Sequence, residues 1–441
     1  MPNDLGAPKR SDCREGALIC SLIAALLAAI AIGLRTGFPD LLATTVLRSL
    51  GLSWILIHLP WLFQIASSRA VGGDEDSLRW WNCDSIRTLA ALFLVAAVAV
   101  AITRIGISLG DVVLPMGGAL VAARFAASFL QREDDRSWLR AIALIAFAGF
   151  LGIYGASAIW GSGYQNPLFM ERLASGAGHI DTLFHAAVSN MIRTQGVPST
   201  GLDGAPFLHY HFGSHGLIAF LCNLIGVSVI DFYNVGYAIV FVPFLLQCLV
   251  AFAGDLASCG KEQRTGLGFW FVVCIGIAGF LPLDSGFATP SARTSIFVSE
   301  SYLIGVAISL PAVAAAVRFF RHQVTDGSRP AAAGWIAGSL IFPTLLAAIC
   351  LAKLSIMLVL ASAAVYGVLR LKLFRVPGAI VILLLSAAAA TVAFRLTYSP
   401  GYEEETGLEP FGFLRGNVRS EWWSLYWVVY YGWVWVYLAI R

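Results

Sequence analysis

An all-α, polytopic transmembrane bundle of about twelve spans, with interfacial helices in one large outer loop, is the fold class this sequence predicts. Three observations predict it. Of the 441 residues, 58% are hydrophobic and only 12% are charged, where an ordinary soluble domain carries about 25% charged residues. Apolar runs close to the ~20 residues that cross a bilayer as a helix recur along most of the chain. Lys and Arg collect in alternate connections between those runs, the pattern that orients spans with basic loops on the cytoplasmic side.

Taken in order, the first run extends from Gly16 to Leu34, behind Lys9, Arg10 and Arg14. It resembles a secretory signal in its basic start, but it is long enough to span, and the sequence predicts a retained first helix. Further runs begin near Leu50, Leu89, Val112 and Ala141, and five helices then form an N-terminal region over 1–160. With Lys9, Arg10 and Arg14 inside, the connections holding Arg69 and Arg79, and then Arg132, Arg136 and Arg140, also fall inside. The stretch 161–233 is thereby delivered to the outer face. Within it, the apolar run Gly216 to Val229 is too short to cross and reads as a re-entrant or interfacial helix. Spans resume near Asn234, Gly266, Tyr302, Gly334, Leu354, Gly378 and Trp422, giving a C-terminal membrane region over 234–441. This register keeps Lys261 and Arg264, Arg318, Arg321 and Arg329, and Arg370, Lys372 and Arg375 all inside.

Charge and cysteines exclude other classes. A formal net charge of +3 on so long a chain offers no nucleic-acid surface. The 8 cysteines are scattered, mostly within apolar runs, without zinc-ribbon pairs or a disulfide framework, and read as packing residues.

The chemistry gathers in the outer loop. Five of the 7 histidines lie between His179 and His215. Two half-motifs, His179-x-Asp181-x-x-x-His185 and His209-x-His211-x-x-x-His215, flank a turn-rich segment with Pro198, Gly201, Gly204 and Pro206 that folds one against the other. With Asp181 capping the helix TLFHAAVSNMIR, Asp181 and His185 project to one side. Imidazole and carboxylate are ligands for zinc and, with more oxygens, for manganese or magnesium. His179, His209, His211 and His215 are the metal-ligand candidates, and a divalent metal is the candidate cofactor. A carboxylate beside imidazoles also serves as a general base, which makes Asp181 and His185 the catalytic candidates. The spacing matches no His-Glu-x-x-His signature.

These residues carry a resemblance. An acidic residue followed by "FHAAVSNMIRTQGVPS", then "YHFGSHGL", then a short apolar helix and a span ending in a basic loop, resembles the polytopic glycosyltransferases of the GT-C superfamily and their membrane relatives. The pattern covers His179 to Arg264. It departs from the family in two ways: the loop follows about the fifth span rather than the first, and His211 stands where relatives have Pro. The resemblance implies a sugar donor linked to polyprenyl phosphate, a catalytic acid at Asp181, and a cell-membrane location with lipid and lipid-linked sugar as partners. It implies that Asp181 takes the proton of an acceptor hydroxyl that attacks the anomeric carbon while the lipid phosphate leaves. Lys353, between two apolar segments, is the candidate cation for that phosphate; Tyr210 is a further substrate-binding candidate, and Arg293 and Glu300 are substrate-binding candidates of lower rank. Three other classes fit the same features: an O-antigen polymerase or ligase, for which Arg193 and Gly204 have a suggestive spacing, a metal-dependent membrane hydrolase, and a transporter.

Overall fold

A computed structural model describes residues 40–70, 83–130, 174, 176, 180–202, 207–257, 300–325 and 332–397. The runs beginning near Gly16, Ala141, Gly266 and Trp422, together with His179 and Arg293, lie outside the described residues. Among the described residues every regular element is helical and there is no strand. Six helices are long and apolar enough to cross a membrane: Ala43–Ala66, Asp84–Ile105, Val229–Leu256, Glu300–His322, Gly334–Ala352 and Pro377–Thr397. They correspond to the runs predicted near Leu50, Leu89, Asn234, Tyr302, Gly334 and Gly378. The run near Val112 is a helix over Gly110–Leu130, and the run near Leu354 is a shorter helix of 17 residues.

The helices are α1 (Asp40–Ala70), α2 (Asp84–Ile105), α3 (Gly110–Leu130), α4 (Ile180–Gln195) and α5 (Gly213–Ile225). Then come α6, which runs from Val229 through a π turn at Phe232–Gly236 to Ala257, α7 (Glu300–Thr325), α8 (Ala332–Ala352), α9 (Leu354–Arg370) and α10 (Pro377–Thr397). Helix α6 is the centre of the bundle, with Phe232, Phe241 and Phe244 fully enclosed and α1, α2 and α7 packed around it. Helices α9 and α10 instead carry rows of exposed apolar side chains, among them Val359, Val365, Leu384 and Leu396, as a face toward lipid tails would.

Contacts at the helix ends sort the bundle into two ends. At one, Arg48 near the start of α1 donates to the Gly226 carbonyl at 2.7 Å and pairs with Asp111 of α3 at 2.7 Å, and Leu109 N–H donates to the Leu224 carbonyl at 2.8 Å. Glu300, at the start of α7, and Lys353, after the end of α8, belong to this end through their contacts with the loop histidines. At the other end, buried Asp255 of α6 accepts from the Ser85 N–H at 2.8 Å and from Arg318 at 3.2 Å. Each described span therefore runs opposite in sense to the one before it, except where undescribed residues intervene.

Helix α5 is the element that decides this alternation. Its 13 residues rise only about 20 Å at 1.5 Å each, short of the ~30 Å hydrocarbon core. Gly226 ends it in the left-handed conformation, φ 64°, and its N–H and that of Val227 return to carbonyls of the last turn. The chain then turns directly into α6, and Ile218, Leu221, Cys222 and Ile225 of α5 are fully buried in the core that the neighbouring helices form. Its first residue, Gly213, sits against the backbone of Leu351, where a Cβ would come within 2.9 Å of the Leu351 carbonyl carbon. That close approach seats the start of α5 on the end of α8, next to Lys353.

Candidate metal centre

Helix α4 carries the first half-motif. It begins at Ile180, so Asp181 lies inside the first turn rather than at the capping position that the sequence suggested. The spacing argument is unaffected: Asp181 and His185 are one turn apart on the same side, and Asp181 Oδ1 lies 3.3 Å from His185 Nε2. Two tethers fix the helix. Arg193 donates to Asn223 Oδ1 and to the Val227 carbonyl, each at 2.7 Å, and Ser189 Oγ meets the Tyr233 hydroxyl of the π turn at 3.2 Å. Arg193 is thus engaged in holding α4 against the end of α5.

The inner face of α4 presents His185 to α5. His185 Nδ1 lies 2.8 Å from His215 Nε2, and Glu300 Oε1 lies 3.2 Å from the first nitrogen and 3.3 Å from the second. All three side chains are buried. Three ligand-capable atoms on three helices therefore form a nearly equilateral triangle. Protons cannot satisfy all three edges: one N–H shared between the imidazoles satisfies the 2.8 Å edge but leaves the accepting nitrogen's side facing a Glu300 oxygen without a hydrogen, and two N–H groups turned to Glu300 crowd each other. A central cation can. Tetrahedral zinc with bonds of 2.0–2.1 Å separates its ligand atoms by about 3.3 Å, so both Glu300 edges already have the right length and only the His185–His215 edge must open. His185, His215 and Glu300 are the residues that could hold a metal ion among the described residues.

Around the triangle lies a second layer. Asp181 stands behind His185, and Ser214 Oγ stands 3.4 Å from His215 Nδ1, the nitrogen turned away from the triangle. His211, one turn before His215, does not join it; its Nε2 accepts from Lys353 Nζ at 3.3 Å and lies 3.2 Å from the hydroxyl of Ser301, the neighbour of Glu300. The Tyr210 ring packs on His211 at 3.7 Å between centroids and also borders His185 and His215. His209 is exposed and meets the Phe207 ring at a tilt instead, 5.2 Å between centroids.

Electrostatics follow from burial and these neighbours. Burial alone opposes a charge on His185, but the carboxylates of Glu300 and Asp181 outweigh it and raise its pKa above the ordinary value. Burial lowers that of His215, with the Glu300 carboxylate opposing it. His211 is pushed down to about 2 by burial and by the Lys353 ammonium, and stays neutral. Burial also lowers Lys353, against the pull of Glu300 and Asp181.

Of the residues singled out in the sequence, the structure brings together Asp181, His185, Tyr210, His211, His215 and Lys353, and leaves His209 apart. It promotes Glu300 from a candidate of lower rank to a corner of the triangle. The signal for Glu300 was weak: one acid at the boundary between an outer loop and a span, where an ionisable side chain is costly enough to need a purpose. No known family model, curated protein or solved structure matches this chain. What the fold and the site define is a helical membrane protein with a buried cluster of two histidines and a glutamate, suited to a divalent metal, at one end of its spans.

Proposed function

We propose that this protein is a metal-dependent enzyme of the cell membrane that passes a sugar from a polyprenyl-phosphate carrier to an acceptor hydroxyl at the outer face. The observation that carries the reading is the convergence of His185, His215 and Glu300 with the Lys353 cation one side chain away. Two imidazoles and one carboxylate suit zinc or manganese better than magnesium, which prefers oxygen ligands and retained water. A bound cation would supply positive charge for the phosphate oxygen that is left when the anomeric bond breaks. Lys353 adds a second positive charge to that leaving group. Asp181, half open at the rim, is the carboxylate placed to take the acceptor proton as the new carbon–oxygen bond forms. The resemblance of the loop to GT-C enzymes supports the same donor class, and the alternation of basic loops supports an outward-facing site.

One observation favours a second reading. Two histidines and a glutamate are also the protein donor set of hydrolytic zinc sites, where water takes the place of the acceptor. Purified protein supplied with zinc or manganese and a polyprenyl-phosphate-linked sugar separates the two. Transfer gives carrier phosphate and a glycosylated acceptor; hydrolysis gives carrier phosphate and free sugar. Absence of bound metal, or no product in the metal-loaded protein across a panel of lipid-linked sugars, would overturn the proposal.

A further inference from the structure

Asp181 occupies a position that its role as a base does not explain. A base toward an incoming acceptor uses one carboxylate oxygen, and the role does not account for the other contact: Oδ1 is directed at His185 Nε2, 3.3 Å away, on the side of the ring opposite the triangle. Neutral imidazole carries one N–H, and the nitrogen that keeps it is set by the acceptor it faces. Both His185 nitrogens face a carboxylate oxygen, Asp181 Oδ1 at Nε2 and Glu300 Oε1 at Nδ1, but a cation held at the triangle would take the Nδ1 lone pair, so the hydrogen belongs on Nε2, where the Asp181 oxygen accepts it. The other nitrogen, Nδ1, then has its lone pair directed at the point shared with His215 and Glu300.

We propose that Asp181 is a positioning residue, the outer partner that fixes the tautomer and ring orientation of His185 as a metal ligand. The inference rests on the metal reading above and deepens it. Geometry supports it from both ends. The pair sits one turn apart on a helix whose rotation is fixed by the Arg193 and Ser189 tethers, so the carboxylate and the triangle hold opposite edges of one ring. His215 repeats the arrangement, with the Ser214 hydroxyl behind its Nδ1 and the triangle before its Nε2. Carboxylate or hydroxyl partners behind metal-bound imidazoles orient the ring and raise its basicity, and their loss typically weakens metal binding by about 10–100-fold.

The test is zinc affinity of the purified full-length protein, measured by competition with a chelator, for wild type, Asp181→Asn and Asp181→Ala, with the absorption spectrum of the cobalt-loaded forms recorded alongside. Asp181→Ala is expected to bind zinc about 10–100-fold more weakly and to show an altered cobalt spectrum. Asp181→Asn keeps an oxygen that accepts from Nε2–H, and is expected to lie closer to wild type in both. A positioning role predicts that rescue, whereas a purely structural residue moves neither readout. Wild-type affinity and an unchanged spectrum in Asp181→Ala would overturn the inference while leaving the metal reading intact. A wild-type protein that binds no zinc would overturn both, and equal losses in the Asn and Ala variants would also overturn it.

Discussion

Glu300→Gln is the most searching perturbation of the metal centre, because it changes a charge and almost no volume. Glu300 is the anionic corner of the triangle, 2% exposed, and its Oε1 reaches His185 Nδ1 and His215 Nε2 at 3.2 and 3.3 Å. Those edges already equal the ~3.3 Å separation of tetrahedral zinc ligands, so binding requires little movement of Glu300 and only a few tenths of an ångström between the imidazoles. A carboxamide presents a neutral oxygen at the same place. Loss of an outer partner alone costs about 10–100-fold in affinity, so removing the charge of a direct ligand should cost more than about 100-fold. The assay is metal content by mass spectrometry after equilibration at buffered zinc concentrations, run beside His215→Ala and the exposed control His209→Ala. The expected order is wild type equal to His209→Ala, with Glu300→Gln and His215→Ala both far weaker. One-equivalent zinc retained in Glu300→Gln at wild-type affinity would refute the assignment of Glu300 as a ligand, and with it the triangle.

Three further outcomes follow from the same contacts. His211 is held neutral, with its pKa lowered to about 2 from an ordinary 6.5; the unfolded chain gains a proton there below pH 6.5 and the folded protein does not. Stability should therefore be fully present above pH 6.5 and fall by about 1.4 kcal/mol per pH unit as pH drops toward the folded value, and His211→Asn should flatten that slope in thermal unfolding of the detergent-solubilised protein. Arg193→Ala removes two charged hydrogen bonds at 2.7 Å that anchor α4; it should lower stability by about 2–3 kcal/mol and weaken zinc binding, and a variant with unchanged zinc affinity would show that the tether does not position His185. Cysteines introduced for exposed Gln195 and Arg370, which sit at opposite ends of the bundle, should differ in intact cells. An impermeant thiol reagent should modify Gln195→Cys alone, and modification of Arg370→Cys would reverse the orientation.

Parts of the site were readable along the chain because they are local. Asp181 and His185 are one helical turn apart, and the distance between them follows from helix geometry alone. The short apolar stretch that became α5 was recognisable as non-spanning from its length, though the helix runs Gly213–Ile225 and ends at Gly226 rather than extending from Gly216 to Val229. Lys353 stood out because a lone ammonium between apolar segments is costly, and it lies at the break between α8 and α9. Glu300 was not readable in the same way. Nothing in the residues around it distinguishes it from an ordinary first-turn carboxylate, and its partners lie on two other helices.

The sequence by itself determined that this is a helical membrane protein, with alternating basic connections and a polar, histidine-rich segment between two groups of spans. Hydropathy, run length and charge are properties of contiguous residues, and the bilayer acts on each segment separately, so no tertiary information is needed. Only the tertiary structure decided which histidines meet. His211 and His215 share a spacing and a residue type, yet one faces Lys353 and Ser301 and the other faces His185 and Glu300. That division arises from the seating of Gly213 on Leu351 and from the entry of α7 at Glu300. Helix packing sets the rotation of α5 against α4, α7 and α8, and packing is a relation between segments that no single segment encodes.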